Sequence, residues 1–232
     1  MDIDRSIINK VTRFRDTEKY SFIVDYPPPV IRSRLKEIQV LEKSPIEFYV
    51  HIPDCPYICD FCSFFKLGKM SEEQKNRYIR ALEKELDIYL EKSDLKFRKI
   101  DSLFFGGGTP TKLNTNQFSH LINYLRNKLN FDENIEITSE STPDTLDDKI
   151  LECMRENGVN RLSIGVQDFN DEVLEARNRL HTGKQAINSY NKARIHGFDK
   201  INIDLIYRMP KQSLDKWEQN LKIIKELNPD YI

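Results

Sequence analysis

Short apolar runs alternating with helix-periodic segments predict an α/β fold: a partial (β/α)6-type TIM-like barrel of parallel strands, with a sixth strand only beginning where the sequence ends. Strands joined through helices call for right-handed parallel crossovers. A second observation favours the barrel. Three cysteines, a triple glycine, Glu140, Gln167 and Asp204 all fall at or just past expected strand ends, where the βα loops of a barrel gather. A third is the lack of a G-x-G-x-x-G turn after the first strand, which the competing architecture, a doubly wound open sheet, would favour.

The 232 residues can bury one substantial core, and 39% hydrophobic residues is ordinary for a globular chain. A formal charge of −1 from 36 basic and 37 acidic residues gives no electrostatic case for nucleic acid or an anionic membrane surface. No apolar run approaches the roughly 20 residues of a spanning helix, and Met1-Asp2-Ile3-Asp4-Arg5 lacks a signal peptide's apolar core. The expected location is the cytoplasm, with no membrane span.

Residues 1–44 read as a polar lead-in and linker, since the prolines of Tyr26-Pro27-Pro28-Pro29 forbid a helix and favour extended chain. The core is expected over 45–232. Ile46 to Ile52 reads as a buried strand, and Ser71-Glu72-Glu73-Gln74 as a capping box opening a helix with Tyr78, Ile79, Leu82, Leu86, Tyr89 and Leu90 at helical spacing. Ile100 to Phe105 is the second strand, and its helix carries Phe118, Leu121, Ile122, Leu125 and Leu129 on one face. Asn134 to Glu140 is the third strand. Thr145-x-x-Asp148 is expected to open the third helix, read as Leu146 to Glu156, with Gly158 as its C-terminal cap. Arg161 to Gly165 is the fourth strand, followed by two helices, the second running from Thr182-x-x-Gln185 to near Gly197. Ile201 to Ile206 is the fifth, with Leu214, Trp217, Leu221 and Ile224 marking its helix, and a sixth starts at Tyr231-Ile232.

The most specific signal is Cys55-Pro56-Tyr57-Ile58-Cys59-Asp60-Phe61-Cys62, directly after the first strand. Thiolates are soft ligands suited to iron–sulfur clusters, zinc and copper(I). A closed zinc site needs four ligands, and no second C-x2-C or H-x3-H follows; Cys153 is remote and His51 is the nearby imidazole. A [4Fe–4S] cluster on three cysteines would leave one iron open to an outside ligand. Structural zinc is the alternative, and a disulfide a weaker one in an intracellular-looking chain.

Gly106-Gly107-Gly108 lets backbone approach a ligand, but Gly108-Thr109-Pro110 is not the Gly-Lys-Ser/Thr of a triphosphate loop. Glu140 could pair with a ligand ammonium and Arg179 with a ligand carboxylate, though taken singly each reads more readily as a surface charge. Asp204 interrupts the apolar strand Ile201 to Ile206 and needs a partner there. Cys153 reads as a core residue.

Taken together, Tyr49-x-His51-Ile52-Pro53-x-Cys55, Gly106-Gly107-Gly108-Thr109-Pro110, Glu140-Ser141-Thr142-Pro143, Arg161 to Gln167, Arg179-Leu180-His181 and Asp204 to Gln212 resemble the coproporphyrinogen III dehydrogenase-like branch of the radical S-adenosylmethionine (SAM) enzymes. That branch spans oxygen-independent coproporphyrinogen oxidases, haem chaperones and radical methyltransferases. The resemblance implies a [4Fe–4S] cluster on Cys55, Cys59 and Cys62, and one or two molecules of S-adenosyl-L-methionine held by Tyr49, Phe61, Gly107, Gly108, Thr109, Glu140, Gln167, Arg179 and Asp204. It also implies reductive cleavage of that cofactor to a 5′-deoxyadenosyl radical, a tetrapyrrole or other (hetero)aromatic substrate, and an external electron donor such as a flavodoxin or ferredoxin. His181 matches a recurrent histidine of no assigned role. Two departures stand out: Phe64 replaces the fourth cysteine of the oxidases proper, and Arg208 replaces a glycine.

Overall fold

The computed structural model describes residues 46–232, so the expected lead-in and its prolines lie outside the described residues. Five strands, β1 (Ile46–Ile52), β2 (Lys99–Gly107), β3 (Asn130–Ser141), β4 (Arg161–Gln167) and β5 (Lys200–Leu205), alternate with helices. These are α1 (Glu72–Lys92), α2 (Thr115–Lys128), α3 (Asp148–Glu156), α4 (Asp171–Glu175), α5 (Gly183–Ile195) and α6 (Leu214–Leu227). All four strand pairings are parallel, and the sheet order is β1-β2-β3-β4-β5. An order that never reverses has no switch point, which rules out the doubly wound alternative and leaves an open, barrel-like sheet. A sixth position is marked next to β5, where the Ile203 amide donates to the Tyr231 carbonyl at 3.1 Å. Among the described residues no helix is long and apolar enough to cross a membrane.

The two faces of the sheet have different chemistry because side chains alternate along each strand. One face, carrying Val50, Ile52, Leu103, Phe105, Ile137, Leu162, Ile164, Ile201 and Ile203, is buried in the core with Phe118, Leu121 and Ile122 of α2 and Leu151 and Met154 of α3. The other is polar. Strand register sets Tyr49, Phe104, Thr138, Arg161 and Lys200 in one row and carries Glu140, Ser163 and Asn202 in the next, with Gly165 opposite Asp204 beyond. This polar face is where a ligand can meet side chains without entering the core.

Local signals placed most helix starts correctly. Ser71 with Gln74 and Thr182 with Gln185 form capping boxes, and Gly158 takes φ +82° past α3. Two expectations need correction. Thr145 opens no helix: Pro143–Thr145 is a 3-10 turn closed by Thr142 and Thr145, and α3 begins at Asp148, capped by Asp147, whose carboxylate accepts from the Ile150 amide at 2.8 Å. β2 extends through Gly107 and β3 begins at Asn130, so two of the three glycines lie inside the strand. Leu214, Trp217, Leu221 and Ile224 all lie on α6 as expected, though Leu214 and Leu221 are exposed and the face that packs carries Asn220 and Ile224.

Asn220 is buried for a polar reason. Asp168, fully buried after β4, accepts from the Asn220 amide at 2.9 Å, the Gln212 amide at 2.6 Å and the Asn170 backbone at 2.7 Å. Gln212 also donates to the Ile206 carbonyl and accepts from the Met209 amide, so it folds the β5–α6 loop onto the loop after β4. Gln212→Ala should cost about 1–2 kcal/mol by leaving one oxygen of that buried carboxylate short of a donor. Urea unfolding checks this, and an unchanged midpoint would show the tie to be dispensable.

Arg208 lies in this loop, exposed, at φ +60°. A left-handed backbone is where glycine fits without a Cβ penalty, which explains why glycine suits the position. Arg208→Gly should therefore raise stability by about 0.5–1 kcal/mol; a lower melting temperature for the variant would point to an unseen role for the guanidinium.

Candidate functional site

The β1–α1 loop carries the three cysteines and is pinned at both ends. Leu67 donates to the Pro53 carbonyl at 2.9 Å, Cys55 to the Gly68 carbonyl at 3.2 Å, and the buried Asp54 accepts from the Met70 amide at 2.9 Å. Lys66 Nζ caps the Cys62 carbonyl at 2.7 Å. Cys55 and Cys59 are buried and Cys62 is half-buried; all are free thiols. Burial pushes the Cys55 and Cys59 thiols up, against lowering contacts from Thr109 and Arg179 respectively.

The neighbouring strand ends close on this loop. The Gly108 amide donates to the Ile52 carbonyl at 2.7 Å, and a Cβ at Gly108 would stand 2.9 Å from Cys55 Sγ. Gly108 is thus bare backbone beside the thiol. Gly107 takes φ +111° and its amide donates to Glu140 Oε2 at 2.9 Å. Thr109 Oγ1 stands 4.0 Å from Cys55 Sγ. On the far side Arg179, 5% exposed, places Nη1 3.6 Å from Cys59 Sγ, gives Nη2 to the Gly165 carbonyl, and lies over the Tyr57 ring. Among the described residues its Nε has no partner and no carboxylate pairs with it.

Tyr49 is half exposed, with its hydroxyl 3.1 Å from His51 Nδ1. The other ring nitrogen of His51 donates to the Phe65 carbonyl at 2.9 Å, so in the neutral ring Nδ1 accepts from Tyr49. Asp204 is half-buried and accepts from Asn202 Nδ2 at 2.6 Å and Ser163 Oγ at 3.2 Å. It does not interrupt an apolar strand, because Ile201 and Ile203 face the core and Asn202 and Asp204 the polar side. Gln167 ends β4 at φ +70°, and Phe61 is half-buried in the cysteine loop.

His181 is buried, donates Nε2–H to the Val166 carbonyl at 3.0 Å and faces the Tyr57 hydroxyl. Burial is the main cause that lowers it to about 4, so it packs the loops as a neutral ring. The residues that sequence reasoning passed over are Asp54, Tyr57, Asp144 and Asp168. Tyr57 donates to Asp144 at 3.0 Å across 87 positions, a separation that no local pattern signals. Cys153 lies on α3, 3.3 Å from Ser119 Oγ, away from the other thiols. Phe64 is exposed and brings no ligand to the loop.

Glu140 is lifted to about 7, mainly by burial and further by the charge of Asp204, against the Gly107 amide. Its ordinary value is 4.5, so between the two the folded protein holds the proton more tightly. The stability linked to it is fully present below 4.5 and is lost as pH rises through about 7. Glu140→Gln should therefore stabilise the ligand-free protein by about 1–3 kcal/mol above that range and hardly at all below it. Denaturant midpoints across pH are the check; a difference independent of pH would contradict a buried charge.

The arrangement fits the cluster and cofactor. The three thiols do not converge, among the described residues, into a site for a single ion, whereas a cluster presents separate irons to separate thiolates. Bare Gly108 backbone, an unpaired buried guanidinium nitrogen and the Glu140 carboxyl supply the surroundings for a ligand with ammonium and carboxylate ends. Cys55, Cys59 and Cys62 would hold the cluster.

A profile of the radical SAM superfamily matches residues 49–224. The chain is 39% identical over 197 residues to the oxygen-independent coproporphyrinogen III oxidase of Escherichia coli, covering 84% of this chain and 42% of that protein. It is 32% identical over 190 residues to the heme chaperone HemW of Haemophilus influenzae, covering 81% and 50%. The solved coproporphyrinogen III oxidase (HemN) from Escherichia coli, described as a radical SAM enzyme, superposes with a TM-score of 0.75 at 40% identity over 80% of this chain and 42% of that one. The chain thus spans half or less of the length of these relatives. With the profile running from β1 into α6 and the cysteine loop seated at the mouth of a matching sheet, the chain belongs to the radical SAM superfamily.

Proposed function

We propose that the protein is a radical SAM enzyme acting on a tetrapyrrole or another (hetero)aromatic substrate. The observation that carries the reading is Arg179: a buried cation beside Cys59 with no carboxylate partner among the described residues. Burying an unpaired charge is costly, so its surroundings are complete only when an anion arrives. Cluster thiolates and the carboxylate of S-adenosyl-L-methionine would supply one. Glu140 would accept from the amino group of that ligand, Asp204 from its ribose hydroxyls, and the amides beside Gly107 and Gly108 would lie along it, with Tyr49, Phe61, Thr109 and Gln167 around it. When bound, the cluster supplies the electron that cleaves S-adenosyl-L-methionine to methionine and a 5′-deoxyadenosyl radical. The protein's own contribution is positioning and exclusion of competing chemistry.

The tetrapyrrole class is supported by the named relatives, an oxidase of coproporphyrinogen III and a heme chaperone. Phe64, where the resemblance places the oxidases' fourth cysteine, argues against decarboxylation of coproporphyrinogen and leaves methyl transfer, with a second S-adenosyl-L-methionine as donor, as the finer reading. Haem carriage with little turnover is the second reading, favoured by the likeness to the chaperone. The test is anaerobic incubation of the complete protein with S-adenosyl-L-methionine and a reductant, running coproporphyrinogen, haem and no substrate side by side. 5′-Deoxyadenosine supports the enzyme, and S-adenosylhomocysteine beside it supports methyl transfer. Haem binding with only traces of either product would replace the proposal with the chaperone, and protoporphyrinogen would replace it with the oxidase.

A further inference from the structure

Two stretches of chain 120 positions apart are clasped together at the cysteine loop. One is Tyr57-Ile58-Cys59 in the middle of that loop, the other Asn178-Arg179-Leu180-His181 just past α4. Asn178 Nδ2 donates to the Ile58 carbonyl at 2.5 Å, Arg179 Nη1 reaches Cys59 Sγ, and the Tyr57 hydroxyl faces His181 Nδ1 at 3.4 Å. The second stretch starts from a fixed base. Val173 and Leu174 of α4 are buried in the interior, and the Leu174 carbonyl accepts from the Arg177 and Arg179 amides, each at 3.0 Å. Asn178 turns the chain at φ +55°, a left-handed conformation in which asparagine is enriched. Successive carbonyls at the end of β4 then take the side chains: Gly165 accepts from Arg179 Nη2 and Val166 from His181 Nε2.

Tyr57 sits at the centre of the clasp. Its half-buried ring lies against the Arg179 guanidinium, whose carbon is 5.3 Å from the ring centroid, and its hydroxyl donates to Asp144 Oδ1 at 3.0 Å. Because His181 gives its Nε2 proton to Val166, Nδ1 is an acceptor in the neutral ring. The one hydroxyl proton thus has two acceptors in reach, and the carboxylate is the nearer. Asp144 belongs to the 3-10 turn after β3, so a single side chain joins the loops after β1 and β3 to the segment after α4.

We propose that Tyr57 is a positioning residue for Arg179: its ring is the surface on which the guanidinium rests, and its tie to Asp144 fixes that surface before a carboxylate ligand arrives. This rests on the reading above, in which Arg179 receives the carboxylate of S-adenosyl-L-methionine. A long, flexible cation that must be ordered at the moment of binding weakens the complex, and one already held does not. The kind of support matters as well. An aromatic face attracts a guanidinium through its π-electrons without cancelling its charge. A carboxylate at position 57 would hold Arg179 more strongly but compete with the ligand for it; the ring leaves the cation, with its unpartnered Nε among the described residues, open to an anion.

The experiment titrates S-adenosyl-L-methionine calorimetrically into the complete protein, with iron content matched across variants and urea unfolding run on the ligand-free forms. Tyr57→Leu, which removes face and hydroxyl together, should weaken binding about tenfold, and Tyr57→Phe, which keeps the face but not the tie, about threefold. In the Arg179→Met background neither change should move the affinity by more than about twofold, because Tyr57 acts through the guanidinium. A residue that only packs the loop would lower affinity equally in both backgrounds. Wild-type affinity in Tyr57→Leu, or the same loss with and without Arg179, would overturn the inference, whatever happens to the urea midpoint. If Tyr57→Leu assembles no cluster, Tyr57→Phe carries the same cycle, and its threefold loss must vanish in the Arg179→Met background. Arg179→Met binding the ligand as tightly as wild type would instead overturn the role of Arg179 itself, and its positioning with it.

Discussion

Alanine in place of any one of Cys55, Cys59 or Cys62 is expected to abolish an oxygen-sensitive cluster that wild-type protein assembles at about four irons and four sulfides per chain. The loss should be nearly complete, because three thiolates are already the minimum that leaves one iron open. It should also be separable from unfolding. The loop is held by bonds that do not use the thiols: Leu67 to Pro53, Cys55 amide to Gly68, Met70 to Asp54 and Lys66 to the Cys62 carbonyl. Circular dichroism and the melting transition of the variants should therefore stay close to those of cluster-free wild type. Cys153→Ala should keep its cluster, since that thiol sits on α3 among Ser119, Thr115 and Asn157. Because burial raises the Cys55 and Cys59 thiols, loading must release protons and should improve as pH rises. Iron and acid-labile sulfide analysis is the measurement. About one tightly held zinc and no sulfide in wild-type protein would sink the assignment.

What could be read from the sequence, and what could not, divides by range of interaction. Capping at Ser71 and Thr182 is a three-residue affair, so it was visible. The same reading misplaced α3 because Pro143 starts a 3-10 turn that uses Thr145 for itself, and an aspartate two residues on does the capping. The candidate site residues could be grouped because parallel strands joined by helices must gather their ends on one rim, so Gly107 could meet Glu140, 33 positions away, without any pattern linking them directly. Asp168 escaped. Its amide partners, Gln212 and Asn220, come from 44 and 52 positions away, and each looks like an ordinary polar loop or helix residue. The polar side of β5 escaped as well: Asp204 looked like an interruption of an apolar strand until register set it with Asn202 on a face of its own.

Arg179 is where stability and function are expected to part. The guanidinium is buried and, among the described residues, gives one nitrogen to the Gly165 carbonyl, one to Cys59 Sγ and none to a carboxylate, leaving Nε unpaired. A buried cation so poorly matched burdens the ligand-free fold, and well-packed apolar replacements of buried charges are often neutral or stabilising. Arg179→Met, which keeps an unbranched stem against the Tyr57 ring, should leave the ligand-free protein as stable as wild type or more so. The same change should weaken S-adenosyl-L-methionine binding by roughly ten- to a hundredfold, since a charge-assisted hydrogen bond to a carboxylate contributes about 1.5–3 kcal/mol. Arg179→Lys keeps the charge but not the planar fork, so it should recover only part of the affinity. Titration calorimetry on cluster-loaded protein and urea unfolding without ligand supply the two halves. Loss of stability with unchanged affinity in Arg179→Met would make the arginine a packing residue, and the unpaired Nε would then have no ligand to explain it.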